Sequence, residues 1–560
     1  MIPDTMLAWQ LYGAGMENFG REGRPAAIPV PEPGDDEVLM RVEAIGLCFS
    51  DVKLIKAGEE HPRVVVNDLK KEPVTPGHEA VLRVVKAGAK MATQFKPGQR
   101  YIIQAEIHYK GVNLAYGYAL NGGMAQYSLM TDPILRGDAG CYLLPISDRL
   151  SAAEAALIEP WTCVIAAYRI PLRTTVKNGG LMRVIGDGAP SNVTCGGLIT
   201  AENKPAKVVV QNVAGPFRDE LAALGATLGF AVVEDGPGED FADDLVITGA
   251  HSDAQLEKYA AQLNTGGVLC LAGEYQDSTV QIDVGRVHYK AWKYYGTTLN
   301  NLADAYTRNA RSVLRKGGVA WFPGGAGAMG QMHVQLALEC PQTPRKIVVT
   351  DLDDTRLRKL EQRLAGKIRE KGVEFVAFNP KRVGDERAVA ARLTAEAPDG
   401  FDDIVMLVPV PALIGVYSRF LGTDGLMNVF AGVPVGSMAP ISLGAVASKG
   451  ARYLGSSGSS MEDIGYTLRM TEEGKLSPIY ALGAIGGMMS LKEGIEGVMT
   501  ARYPGKTVIY PNAIDMPLVP IEHVDQAAEG ASKTLLDGEV FTKATEEMLK
   551  AKWEGKAGGR

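Results

Sequence analysis

The segment Trp321-Phe-Pro-Gly-Gly-Ala-Gly-Ala-Met-Gly330 limits the fold more than any other part of the chain. An apolar run, Gly318 to Phe322, leads into Gly325-x-Gly327-x-x-Gly330, and a helix-like stretch, Gln331 to Glu339, follows. A second apolar run, Lys346-Ile-Val-Val-Thr-Asp351, ends on a carboxylate 21 residues after the last glycine. Strand, glycine turn, helix, strand and acid in that order make a dinucleotide-binding unit. The glycines let the backbone turn tightly, and the helix N-terminus receives a pyrophosphate. Gly325, Gly327, Ala328, Met329 and Gly330 are the expected pyrophosphate positions. Asp351 would accept hydrogen bonds from the adenosine ribose and repel a 2′-phosphate, which favours NAD over NADP. Val408 and Ala431 fall at the carboxyl edge where such ligands sit, and Arg356 either packs on the adenine or is a helix-surface charge.

The same unit occurs earlier. Leu181-Met-Arg-Val-Ile-Gly186-Asp-Gly188-Ala-Pro-Ser191 stands in the place of the glycine turn, and Ser191 to Asn212 again spans 21 residues. Gly267–Gly273 matches Gly425–Gly432, and Tyr294-Tyr-Gly296 matches Tyr453-Leu-Gly455. The spacing between equivalent positions grows from 139 to 159, which places about 20 extra residues in the second copy, near Phe375–Arg392. In the first copy the last glycine is Ser191, Pro190 sits near the expected helix start, and Asn212 replaces the acid. Proline is tolerated at a first helical position. The lost carboxylate nevertheless makes the first copy a degenerate structural domain and the second the cofactor site.

A chain of 560 residues needs more than one core, about two to four by ordinary domain sizes. Its 46% apolar and 22% charged composition is that of a globular protein. The net charge of −7 argues against a general nucleic-acid binder. No apolar run reaches bilayer length, the start lacks a signal-peptide pattern, and the six cysteines show no CxxC. A reduced, cytoplasmic protein is expected.

Residues before the repeats read as short strands, Glu37–Ala44, Ala80–Val85 and Arg100–Ile103, so an all-β, barrel-like domain is expected. Within it stand Gly46-Leu-Cys48-Phe-Ser50-Asp51-Val-Lys53 and Pro76-Gly77-His78-Glu79, and Glu159-Pro160-Trp-Thr-Cys163 opens the segment that leaves it. Cys, His and Glu are the side chains that hold a catalytic zinc. Each also has an ordinary explanation: a buried small thiol, a satisfied core imidazole, an acid at a helix start.

Gly46-x-Cys48-x-Ser50-Asp51, Gly77-His78-Glu79, Gly122-Gly123-Met-Ala-Gln-Tyr127 and Glu159-Pro160 resemble the zinc-dependent medium-chain alcohol and polyol dehydrogenases. Within that family the chain most resembles the sorbitol dehydrogenase and L-sorbose-1-phosphate reductase branch, although it is far longer than usual. The resemblance implies an α/β protein with a GroES-like β-barrel catalytic domain, here joined to two tandem Rossmann-like doubly wound parallel sheets. It implies Cys48, His78 and Glu79 as zinc ligands, with Glu159 as a fourth ligand or the partner of a metal-bound water. Ser50 would relay the alcohol proton, and Asp51 would orient His78. Where the family often has a histidine three residues beyond that serine, this chain has Lys53, either a proton relay or a solvated lysine. The segment Gln104–Gly123 has no cysteine, so no structural zinc is expected beside the one catalytic ion.

The expected domains are 1–175 (catalytic), 176–305 (first copy), 306–470 (NAD-binding copy) and 471–560, a return to the catalytic domain ending in a charged, solvated helix and a frayed tail. The implied function is hydride transfer between NAD and a secondary alcohol of a polyol, sugar or sugar phosphate. Family members lead one to expect a homo-oligomer, with no nucleic-acid or membrane partner. Two rivals are an enzyme with tightly bound NAD that oxidises only transiently, for elimination, epimerisation or glycoside cleavage, and a non-catalytic nucleotide-binding regulatory protein.

Overall fold

The structure is a computed structural model that describes residues 2–234, 241–275 and 278–554. Two compact units emerge: 1–165 with 327–332 and 458–560, and 166–326 with 333–457. None of the described helices is long and apolar enough to cross a membrane.

In chain order, after an antiparallel pair of Thr5–Ala8 with Ala26–Pro29, the first unit runs through β1 (Val38–Leu47), α1 (Phe49–Ala57), β2 (Glu79–Ala87), β3 (Arg100–Ile103), β4 (Tyr127–Met130), β5 (Leu143–Pro145) and α2 (Ile158–Ala166). The first copy comprises β6 (Leu181–Ile185), β7 (Lys207–Gln211), α3 (Pro216–Leu228), β8 (Ala231–Glu234), β9 (Ala242–Thr248) and α4 (Asp253–Ala260). It continues with β10 (Leu263–Ala272), β11 (Thr279–Asp283), α5 (Val284–Tyr289) and β12 (Lys293–Thr297), and the helix Leu302–Thr307 packs back on β10 and β12. The second copy begins with β13 (Val319–Pro323), α6 (Ala328–Glu339), β14 (Lys346–Thr350), α7 (Asp354–Lys371) and β15 (Glu374–Phe378). It continues through α8 (Pro380–Val383), α9 (Glu386–Glu396), β16 (Phe401–Met406), α10 (Pro411–Ser418), β17 (Leu421–Val429), β18 (Met438–Ser442), α11 (Leu443–Lys449) and β19 (Arg452–Leu454). The return holds α12 (Met461–Glu472), β20 (Leu482–Gly487), β21 (Lys506–Tyr510), β22 (Val519–Pro520) and α13 (Lys543–Trp553).

The first unit is an eight-stranded sheet in the order β22-β20-β21-β1-β2-β3-β5, with β4 also on β1. The return therefore completes the sheet of the N-terminal strands, through the antiparallel pair β21–β1. Its boundary falls before α12, earlier than residue 471, because Glu472 accepts the Ser147 N–H (2.9 Å) and Gln104 donates to Ser459 Oγ (3.2 Å). The last helix is not simply a solvated face. Glu546 is buried and accepts the Ala152 and Ala153 N–H groups (2.8 and 2.9 Å), capping the helix Ala152–Ala156. The expected frayed tail after Glu554 lies outside the described residues.

In the second unit both copies form six-stranded parallel sheets of identical order, β8-β7-β6-β9-β10-β12 and β15-β14-β13-β16-β17-β19. This is the doubly wound topology, with its ligand crevice beside the first strand. The repeat reaches upstream of the glycines. Arg173 clasps Asp244 with both distances at 2.8 Å and Lys177 meets Asp243 at 2.7 Å, while Arg311 clasps Asp403 and Arg315 meets Asp402 at 3.2 Å. Arg173 thus belongs to the first copy, and the catalytic unit's first segment closes at Ile165, before the expected residue 175. The copies also share part of their core: Val184, Val210, Leu221 and Tyr306 belong to a cluster of the first copy alone, but Ile247, Leu271, Trp292 and Tyr294 share one buried cluster with Trp321, Met427, Val446 and Tyr453.

A local two-fold relates the copies. Strands β11 and β18 pair antiparallel with Gln281 opposite Pro440. The Val284 N–H donates to Ser437 O (3.0 Å), and the equivalent Leu443 N–H donates to Ser278 O (2.9 Å). Helix α5 packs on the second copy's β17 and β19, and α11 packs on the first copy's β10 and β12. Each copy therefore covers the other's edge strand, which removes a site for unwanted strand pairing.

One buried charge at this seam opposes folding. Lys293 opens β12 with 6% exposure, and its ammonium donates to Ala291 O at 3.1 Å. Burial, with the Arg173 charge, pushes its pKa down from 10.5 to about 8. The folded state then holds the proton less tightly than the unfolded chain does. The penalty is full below about pH 8 and disappears as pH rises toward 10.5. Lys293→Met should add about 2–3 kcal/mol at pH 7, measured by urea unfolding. The gain should fade between pH 8 and 10.5. A gain independent of pH would mean that packing, not charge, is at stake.

Candidate active site

The β1–β2 ladder sets Gly46 opposite Glu79. Cys48, just beyond β1, and His78, just before β2, therefore reach the same end of the sheet. One ligand atom from each of Cys48, His78 and Glu79 lies within 4.8 Å of the others. Donors around one tetrahedral ion with bonds of about 2.0–2.3 Å lie roughly 3.3–3.8 Å apart, so a small convergence of these atoms would bring them onto one ion.

Asp51, fully buried, holds two of these residues at once. Its Oδ1 lies 3.2 Å from His78 Nδ1, and its Oδ2 accepts the Cys48 N–H at 2.9 Å, closing the N-terminus of α1. Contact through Nδ1 leaves Nε2 as the metal-binding nitrogen of His78. Burial alone would depress the imidazole, but Asp51 and Tyr118 outweigh it and hold His78 well above its ordinary pKa. Glu79 Oε1 receives the buried Lys506 ammonium at 2.5 Å, while Oε2 is buried with no hydrogen-bond partner among the described residues. A soft thiolate, an imidazole nitrogen and an orphaned carboxylate oxygen fit a zinc ion.

Glu159 stands in the first turn of α2, outside this tight set but electrostatically tied to it. Burial raises its pKa to about 7, with His78 lowering and Glu79 raising it. One turn on, the Cys163 thiol is pushed well up by burial, then by Glu159 and Cys48. Ser50 lies half-buried in the first turn of α1. Lys53 is exposed, with its ammonium 6.0 Å over the Phe49 ring, as a solvated lysine would be.

Two features escaped the sequence reading. Lys506 is one; the other is Tyr118, a buried ring 5.8 Å from His78 on one side and 5.2 Å from His61 on the other. Arg63 lies 5.4 Å over the Tyr118 ring and ion-pairs with Glu106 at 2.6 Å. The only sequence signal for Lys506 is a lysine opening an otherwise apolar strand.

In the second copy β13 runs through the turn Gly324–Gly327 into α6, whose first bond is Gln331 N–H to Gly327 O at 2.9 Å. The N–H groups of Ala328, Met329 and Gly330 occupy the first turn, where an anion is favoured. Gly325 and Gly327 lie in the turn itself. Asp351 follows β14 and accepts the Asp353 N–H at 3.1 Å. Arg356 pairs with Asp353 at 3.6 Å, at the start of its own helix. Val408 sits against Gly324, and the Ala431 N–H donates to Met406 O at 2.9 Å, so both stand at the carboxyl end of the sheet.

The first copy differs more than its sequence indicates. Gly186 N–H bonds to Gln211 O (2.8 Å) as Gly324 N–H bonds to Thr350 O (2.7 Å). Gly186 therefore matches Gly324 rather than Gly325, a correction of one residue. Asp187 then occupies the position of Gly325. Its carboxylate accepts the Ala250 and Ala189 N–H groups, both at 2.9 Å, which hold its pKa low. No helix starts at Pro190, and the next one is α3. The segment between carries Gly196-Gly197 and Pro205 in place of an apolar helical stripe. An anion sits where a phosphate would have to sit, and the receiving helix is missing.

Residues 34–135 match the alcohol dehydrogenase GroES-like domain. Over 264 residues the chain is 30% identical to human sorbitol dehydrogenase, covering 44% of this chain and 70% of that protein. The chain belongs to the zinc-dependent medium-chain dehydrogenase/reductase family. It is a zinc-dependent oxidoreductase of the alcohol and polyol dehydrogenase type. A mannitol-1-phosphate 5-dehydrogenase of Aliivibrio fischeri is 23% identical over 503 residues, spanning 89% of this chain and 86% of that protein. The solved structure of a 2R,3R-butanediol dehydrogenase from Bacillus subtilis aligns with a TM-score of 0.51 at 15% identity, over 90% of this chain and 99% of the other, a likeness of fold.

Proposed function

We propose that this family member transfers hydride between NAD and a secondary alcohol or ketone of a polyol, sugar or sugar phosphate, with one zinc at Cys48, His78 and Glu79. The observation that carries the reading is the three-ligand cluster with Asp51 fixing two of its members. Relatives named for sorbitol and mannitol 1-phosphate support the substrate class. A zinc held there polarises a carbon-bound oxygen and lowers the pKa of an alcohol. The protein's own groups do the rest. Ser50 takes the hydroxyl proton. Glu159, with a pKa of about 7, is able to hold or release a proton near neutrality. Asp351 binds the ribose hydroxyls, and the first turn of α6 binds the pyrophosphate.

Metal content and NADH binding measured on one preparation test this. Wild type should hold one zinc per chain, and Cys48→Ser should lose it. Asp351→Asn should keep the zinc but bind NADH about tenfold more weakly, as expected on losing a charged hydrogen-bond acceptor. A zinc-free wild type, or NADH binding indifferent to Asp351, would overturn the assignment.

A further inference from the structure

The two-fold between the copies is broken chemically in one place. Helix α5 of the first copy ends in His288-Tyr289, whereas the equivalent residues of α11 are Ala447-Ser448. The His288 Nδ1 meets the carbonyl of Val429, the last residue of β17, at 3.0 Å. Since a carbonyl only accepts, Nδ1 carries the proton in this contact. A Cβ placed on Gly432 would lie 2.7 Å from Tyr289 Oη and 3.3 Å from His288 Nε2. The two rings meet edge-on with centroids 4.6 Å apart, and Tyr289 remains 41% exposed. At the symmetry-related Gly273 the three nearest atoms all belong to the first copy's own Tyr275. A hydroxyl and an imidazole nitrogen thus cross from the first copy to the carboxyl end of β17, with no counterpart in the other direction.

The order of the second sheet says which part of a ligand would meet them. Asp351, beyond β14, marks the adenosine end, and the glycine turn after β13 marks the pyrophosphate. A dinucleotide lying across the strand ends continues over β16 and β17. Its nicotinamide half reaches Ala431–Gly432. The nicotinamide carboxamide offers an N–H₂ donor and a carbonyl acceptor, and the Tyr289 hydroxyl, which both donates and accepts, can meet either.

We propose that Tyr289, packed edge-on against a His288 anchored on Val429 O, is a positioning residue for the nicotinamide half of a dinucleotide held by the second copy. On this view the first copy acts as a partner subunit built into the same chain. The inference rests on the reading that the second copy binds the nucleotide. The test uses the full chain and two ligands, NADH and ADP-ribose, the latter lacking nicotinamide. Tyr289→Phe should weaken NADH about fivefold to tenfold, the usual effect of one lost hydrogen bond, and leave ADP-ribose within about twofold. Ser448→Ala, at the symmetry-related position, should change neither. NADH unaffected by Tyr289→Phe while Asp351→Asn weakens both ligands would overturn the inference alone. Equal weakening of both ligands by Tyr289→Phe would also overturn it, as a general structural effect. Indifference of both ligands to Asp351→Asn would remove the reading on which it rests.

Discussion

Lys506→Met should destabilise the catalytic unit by about 3–5 kcal/mol, the usual result of breaking a buried ion pair from one side. Lys506 is 5% exposed and Glu79 is fully buried, with their charged atoms 2.5 Å apart. Burial alone would depress the lysine, but the Glu79 charge outweighs it and raises the pKa above 10.5. A raised lysine contributes its stability fully below the unfolded pKa and loses it only as pH climbs past 10.5. The pair is therefore in force throughout the neutral range. Methionine fills most of the volume, so the loss comes from an uncompensated carboxylate rather than from a cavity. Adding Glu79→Gln to Lys506→Met should recover most of the stability but lower the zinc content, since it removes one of the three ligands. The single variant should also regain more stability on zinc addition than wild type does, because a divalent cation offsets the unpaired carboxylate. Urea unfolding of metal-stripped and zinc-supplemented samples measures both effects. A double variant no more stable than the single one would show that Lys506 acts through packing instead.

What the sequence disclosed about this centre was the part carried by short spacings. Ser50, Asp51 and Cys48 lie within one helical turn, and His78-Glu79 are adjacent, so each fragment reads locally. Their meeting depends on the register that sets Gly46 opposite Glu79, a pairing across 33 residues that no local pattern fixes. Lys506 lies 427 residues from its partner, and nothing near it distinguishes an ion-paired lysine from a strand-end one. Strands β1, β2 and β3 and the parallel strands β6, β7, β10, β13, β14 and β17 were legible because apolar runs bounded by glycine and proline admit few other structures. The first copy's missing helix was harder to see. Gly186-Asp187-Gly188 keeps two glycines and imitates the turn, yet its backbone bond to Gln211 shifts the register by one and puts Asp187 at the position where a phosphate would approach. The shared core of the copies was hidden as well, since a repeat reveals likeness between two segments but not that they pack on each other.

The repeated Tyr-x-Gly motif now has a cause, and with it comes the second large expected effect. A Cβ on Gly296 would lie 2.8 Å from Ala447 Cα, and one on Gly455 would lie 2.8 Å from His288 Cα and 2.9 Å from Val287 O. These are backbone atoms of the opposite copy's helix, so a rotamer change cannot relieve the clash. Gly296→Val and Gly455→Val should each destabilise the second unit by about 3 kcal/mol, at the upper end of ordinary overpacking. Their effects on ligand binding should differ. Gly455 seats α5, which carries His288 and Tyr289 to the end of β17, so Gly455→Val should weaken NADH severalfold. Gly296 seats α11, which carries Ala447 and Ser448 toward a first copy blocked by Asp187, so Gly296→Val should leave NADH affinity near wild type. Equal stability losses with unequal binding losses are what a two-fold interface with one working site requires. Thermal unfolding beside NADH titration of both variants separates the cases. If both variants lost NADH equally, the copies would be coupled through their common core, and the asymmetry at His288-Tyr289 would have no bearing on binding.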